Sequence, residues 1–373
     1  MDVERINYLC VTNLAILHIM KIKYILASIV AVLSVSCTKT VDIPANDPDI
    51  LYMGRIHWGD SLAPQFTYPG TTAMLNFEGK SLSMGARPGS GQFIVEIDTR
   101  EPFKINFTDT DSLILLADSL PDGPHSARIT YAIEGYDHHP EFRGFRITDG
   151  KILPAPERPE LKIEFIGNSI TCGYGIESTD PQEGFSYETE NHALTYAHRT
   201  ARALNADYNV VARSGIGIYR NYNGPREGDK ETMVTEYDNT MLYQPEHKWD
   251  FSKFQPDIVC INLGTNDTST DNYDITLYGA KYRDFLHHLR EIYPSAKIVL
   301  LTGSMMSGKP LEDVKGALDR LAAEDENIYR FDMSPQTGEF GYGGDYHPSR
   351  RQAQLMAAEL IPYLKGLVAA DNK

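Results

Sequence analysis

Eight residues, Leu153-Pro154-Ala155-Pro156-Glu157-Arg158-Pro159-Glu160, divide this chain into two stretches that obey different periodicities. Proline fixes φ and removes a backbone donor, so a run this dense in it reads as a stiff connector over residues 153–160. Ahead of it, residues 92–98, 102–107 and 125–133 alternate apolar and polar side chains with a period of two. Pro88-Gly89-Ser90-Gly91 and Pro121-Asp122-Gly123-Pro124 punctuate those runs. Short alternating strands between Gly and Pro turns predict an all-β sandwich domain over residues 50–152.

After the connector, apolar strands alternate with segments of helical spacing. Residues 161–167, 208–212, 257–264, 297–302 and 328–331 read as strands. The stretch 257–264 is almost continuously apolar, as a strand covered on both faces must be. Residues 193–204, 277–293, 311–324 and 349–368 carry helical patterns. The alternation predicts an α/β domain with a parallel sheet over 161–368.

The N-terminal stretch has a different character. Lys21 and Lys23 precede an apolar run from Tyr24 to Leu33, and small residues then lead into Cys37. A positive region, a short apolar core and a small-residue cleavage site predict an export signal over residues 1–37. Its core is short for a roughly 30 Å hydrocarbon layer. Cys37 resembles the lipid acceptor of a bacterial lipoprotein, and Met20 offers an alternative start just before the lysines. Residues 38–49 then read as a polar tether. The expected location is exported: lipid-anchored at a bacterial outer membrane or cell surface, otherwise periplasmic or secreted. The membrane is met only through that anchor. Cleavage would leave Cys172 and Cys260 in the folded part, too few for a disulfide framework. A formal net charge of −16 with no basic run excludes a nucleic-acid surface, which needs clustered Lys and Arg.

Ligands of open parallel α/β sheets bind at the carboxyl ends of strands. Three motifs fall there: Gly167-Asn168-Ser169-Ile170-Thr171 after the first strand, Gly264-Thr265-Asn266-Asp267 after the third, and Asp345-Tyr346-His347-Pro348-Ser349 before the last helix. Each alone reads as a turn or a helix cap. Together they supply what acyl transfer requires. A serine hydroxyl needs an adjacent base, which His347 can be for Ser169. The tetrahedral intermediate needs fixed donors, which the Asn266 amide and the backbone N–H groups of Ser169 and Gly215 can be. Gly215 lies in the turn Ser214-Gly215-Ile216-Gly217 after the second strand.

On these four blocks the chain resembles the SGNH, or GDSL-type, hydrolase superfamily, with Ser169, Gly215, Asn266 and His347 at the four named positions. The string Gly-Asn-Ser-Ile-Thr-Cys-Gly-Tyr-Gly (167–175), behind a β-rich domain, is similar to carbohydrate esterase family 2. That resemblance implies a jelly-roll sandwich followed by a three-layer SGNH domain. It also implies a serine esterase removing O-acetyl groups from xylan- or mannan-type carbohydrate, with no cofactor and no metal. The alternatives are an esterase for other acyl esters or peptidoglycan, and a surface glycan-binding lipoprotein with a vestigial site.

Two positions depart from the superfamily pattern. Asn168 stands where many members carry Asp. Gly344 stands three before the histidine, where the third triad residue is usual. Either Asp345 or a backbone carbonyl is then left to orient His347. Tyr346 and Trp249 are candidate sugar-stacking aromatics. His287-His288 and His138-His139 lack a second ligand at metal spacing and read as a helix face and a loop.

Overall fold

The computed structural model describes residues 39–370, and from Val41 onward they belong to one compact unit. The expected export signal and Cys37 lie outside the described residues.

Two sheets form the N-terminal sandwich. One runs in the order β1 (Thr40–Ile43), β9 (Phe142–Thr148), β4 (Ser81–Ala86), β7 (Leu113–Ala117). The other runs β10 (Lys151–Leu153), β3 (Thr72–Glu78), β8 (Pro124–Tyr131), β5 (Gly91–Ile97), β6 (Phe103–Phe107), and β2 (Leu51–Met53) also pairs with β3. Leu75, Phe77, Leu82, Val95 and Ile147 fill the space between the sheets and are wholly buried. Burying each such side chain stabilises the fold by about 1.5–3 kcal/mol relative to leaving it exposed. The stretch read as a tether departs from expectation. Thr40–Ile43 is a strand, and Ile43 and Ala45 enter the sandwich core, where a free tether would have left an isoleucine in water.

The second sheet system is parallel, in the order β12 (Asp207–Ala212), β11 (Lys162–Gly167), β13 (Ile258–Ile261), β14 (Lys297–Thr302), β15 (Ile328–Asp332). Successive strand residues point to opposite faces. Ile163, Phe165, Val210 and Cys260 pack in one core with the helices Tyr196–Ala203 and Arg350–Ala370. Ile166, Val211, Val259 and Ile261 pack in another with Ile275–Ile292 and Gly308–Ala322. Helix, sheet and helix give the expected three-layer α/β domain behind a β-sandwich. The helix expected from 193 begins later, because Thr195 caps it by accepting a hydrogen bond from His198 N–H at 3.3 Å.

Strands β12, β11 and β13 are neighbours, so the loops that leave their carboxyl ends lie side by side. Those loops carry Gly215, Ser169 and Asn266 respectively.

Candidate active site

Strand β11 ends at Gly167, where an added Cβ would meet Thr171 Oγ1 at 2.0 Å, so the chain turns directly into the one-turn helix Ser169–Cys172. Asn168 caps that helix, its side chain accepting from Ile170 N–H at 3.1 Å. Asparagine therefore does here what aspartate would do as a cap. Ser169 becomes the first helical residue, and its Oγ lies 2.8 Å from His347 Nε2. His347 Nδ1 faces the Gly344 carbonyl at 3.0 Å. A carbonyl can only accept, so Nδ1 carries the proton and Nε2 offers its lone pair to the Ser169 hydroxyl. Burial disfavours the imidazolium and brings its pKa down to about 4, against the Gly344 carbonyl, which favours the charged ring. The ring is thus neutral, and able to accept a proton, near pH 7.

Asp345 makes no side-chain hydrogen bond to the imidazole. Its carboxylate accepts from the Tyr174 hydroxyl, and the Tyr174 ring stacks on His347 with centroids 4.1 Å apart. The residue that orients His347 is Gly344, through its carbonyl. A side chain there has no room: a Cβ on Gly344 would meet Glu183 O at 2.8 Å. Gly175 closes the other side, accepting from Gly344 N–H at 2.9 Å, and a Cβ on Gly175 would sit 2.8 Å from Gly344 N. The last glycine of the 167–175 block therefore fixes the histidine loop.

The donors expected for an oxyanion sit on the adjoining loops. Neither Ser169 N–H nor Gly215 N–H donates to another group among the described residues. Gly215 has φ +77°, a conformation that favours glycine. The Asn266 amide donates to the Ile216 carbonyl at 2.7 Å, which holds it in place and leaves its second N–H available. Asp267, next in the chain, is wholly buried and accepts from the N–H groups of Ile218 and Tyr219, each at 2.9 Å. Residues 266 and 267 together fasten the Gly215 turn. Sequence reasoning took Asp267 for a turn residue.

A sandwich residue also holds that turn. Glu134, just beyond β8, accepts from Ser214 N–H at 2.7 Å and from the Ser214 hydroxyl. Its own N–H donates to the Glu190 carboxyl. Glu134, Glu190 and Cys172 bring ligand-type atoms within 4.8 Å of one another, all buried. Burial pushes the pKa values of both carboxyls upward, so a shared proton can balance the pair. The donors already on Glu134 suit a structural anchor better than a metal ligand. Cys172 and Cys260 are free buried thiols.

The two aromatic candidates separate. Tyr346 is 51% exposed beside His347. Trp249 is 8% exposed and lines a cavity with Lys162 and Asp207, which begin β11 and β12. It sits near the amino ends of the strands, roughly 17 Å of strand from the Ser169 edge. Trp249 is therefore not a neighbour of the Ser169 site. Tyr174, Phe185 and Tyr222, the last two well exposed, are the further aromatics around Ser169, His347 and Gly215.

Residues 52–156 match the family model for the N-terminal domain of carbohydrate esterase 2, and residues 165–355 match that of the GDSL-like lipase/acylhydrolase family. The chain is 36% identical over 328 residues to cellulase/esterase CelE of Acetivibrio thermocellus, covering 86% of this chain and 40% of CelE. It is 30% identical over 342 residues to an acetylxylan esterase / glucomannan deacetylase of Cellvibrio japonicus, covering 89% of this chain and 92% of that protein. A family two carbohydrate esterase from Clostridium thermocellum, solved in complex with cellohexaose, superimposes with a TM-score of 0.80 at 35% identity. That match covers 86% of this chain and 99% of the solved one.

Proposed function

Since this chain belongs to carbohydrate esterase family 2, a group of carboxylic ester hydrolases, we propose that it removes O-acetyl groups from xylan- or mannan-type carbohydrate through an acyl-serine intermediate. The observation that carries this reading is the 2.8 Å contact between Ser169 Oγ and His347 Nε2 beside unused donors. In the proposed reaction His347 takes the Ser169 proton as Oγ attacks the acetyl carbonyl. The N–H groups of Ser169 and Gly215 and the Asn266 amide receive the oxyanion. His347 then gives its proton to the departing sugar hydroxyl, and a water activated by the same ring releases acetate. The Gly344 carbonyl holds the imidazole in the required tautomer throughout. Exposed Tyr346, Tyr222 and Phe185 suit a polymer presenting flat sugar faces.

Acetate release from acetylated xylan, acetylated glucomannan and acetylated peptidoglycan tests the assignment. We expect release from the first two, and a fall of at least ~10³-fold in Ser169→Ala. Equal release by parent and variant would overturn it. The sequence around Cys37 further supports a lipid anchor on an exported protein. Membrane fractionation of the parent and Cys37→Ser would show that as loss of membrane association in the variant.

A further inference from the structure

The chain has two tryptophans, Trp58 and Trp249, and both line one cavity of about 420 Å³ at the end of the parallel sheet opposite Ser169. Its volume falls within the range of small-molecule sites. Trp58 is 39% exposed and is braced by Tyr52 edge-on at 5.2 Å, so an indole surface is available for contact. Asp207 and Asn209 alternate on β12 and so share one face of the sheet.

Three buried polar atoms of the lining residues have no hydrogen-bond partner among the described residues: Asp207 Oδ1, Asn209 Nδ2 and Trp249 Nε1. Asp207 and Asn209 are each 1% exposed. Each of those atoms is sealed within the cavity wall, so the groups left to meet a ligand are the Trp58 indole and the Lys162 and Lys253 side chains. Lys162 and Lys253 offer charged donors, and Trp58 offers a flat apolar face. The other Asp207 oxygen is held by Arg158 at 2.6 Å. Lys162 and Lys253 form no ion pair among the described residues, in a chain whose net charge is −16. The ligand should therefore carry negative charge and present a flat face to an indole.

We propose that this cavity binds a saccharide residue bearing a carboxylate, of the hexuronate class. The ring face lies against Trp58 and the carboxylate meets Lys162 and Lys253. The site is separate from the Ser169 site and does not depend on its chemistry.

Because both tryptophans lie here, their emission reads this cavity directly. Titration of the full chain with D-glucuronate should give a saturable change in emission, with matching heat in calorimetry. D-glucose, acetate and adenosine monophosphate should each bind at least about tenfold more weakly, the scale of one charge-assisted hydrogen bond. Lys253→Met, at an exposed position, should weaken glucuronate by a similar factor, and Trp58→Ala should weaken it in calorimetry. Ser169→Ala should leave the response intact, so loss of the esterase reading would not alter this outcome. Binding of glucuronate or of a glucuronate-substituted xylo-oligosaccharide supports the site, and the tighter of the two identifies the source. Absence of any response to either acid, or equal affinity for glucose, acetate or the nucleotide, would overturn the proposal.

Discussion

A carbonyl in place of a carboxylate changes how the base works. A buried carboxylate would stabilise the imidazolium strongly, whereas the Gly344 carbonyl offers a dipole and the ring stays neutral down to about pH 4. The acid limb of kcat/KM for acetate release should therefore inflect near 4, well below the ordinary histidine value of 6.5. A pH profile on a soluble acetyl ester checks this, and an inflection at 6.5 would contradict it. The same shift affects stability. The unfolded chain takes up this proton first as pH falls, so the stabilisation is intact above pH 6.5 and is lost as pH falls towards 4. Asp345→Asn should retain kcat/KM within about tenfold, unlike the ~10⁴-fold loss on neutralising the orienting carboxylate of a full triad. Asn266→Ala should lower kcat by roughly 10²–10³-fold, as removal of other oxyanion donors does. Ser169 and Asn266 were legible because each stands at a strand end, and His347 because Ser169 needs a base. The orienting group was legible only as a choice between Asp345 and a backbone carbonyl, because a carbonyl leaves no side chain to read. A glycine where an acid was expected was the one visible sign.

Strands were the elements most faithfully written in the sequence. The stretch 297–302 matches β14 at both ends, since a buried parallel strand has to be apolar on both faces. Turns were less legible because their partners lie far away in sequence. Nothing around Ser214 indicates that Glu134, 80 residues earlier, accepts both its N–H and its hydroxyl. Glu134 positions the turn that presents Gly215, so its loss should act on kcat more than on KM. Glu134→Ala should cost at least about tenfold in kcat if the Gly215 donor is misplaced. Glu134→Gln, which keeps an oxygen for the Ser214 N–H, should recover much of it. Steady-state kinetics on both variants, with melting curves alongside, separates misplacement from unfolding.

At the scale of the whole molecule, the proline-dense connector marked two domains in the sequence, yet side chains cross between them in several places. Arg55, in the loop after β2, is wholly buried and pairs with Glu164 of β11 at 3.2 Å. It also donates to the Tyr237 and Asn239 carbonyls. Lys104 of β6 donates to the Glu177 carboxylate and to the Glu188 and Glu190 carbonyls. Arg202 reaches Glu96 of β5 at 2.8 Å. Removing one member of a buried pair strands the other charge, so Arg55→Ala should cost about 3–5 kcal/mol in urea unfolding. Replacing both, as Arg55→Met with Glu164→Leu, should restore only part of that loss, because the Tyr237 and Asn239 carbonyls and the Tyr237 hydroxyl then lose their partners. The connector was legible as a boundary of pattern. That it is no boundary of cohesion was hidden, because a lone arginine in a loop carries no mark of its distant partner.

The Arg55–Glu164 pair has a consequence for how such chains can be recombined. A crossover between homologues at the prolines looks harmless by inspection of the seam. It would nevertheless match one parent's arginine to another parent's strand, and chimeras would survive only where both parents share that couple. The inheritable cassette is therefore the pair of halves together, and a library built by shuffling at the connector should be enriched for survivors with matched residues at 55 and 164.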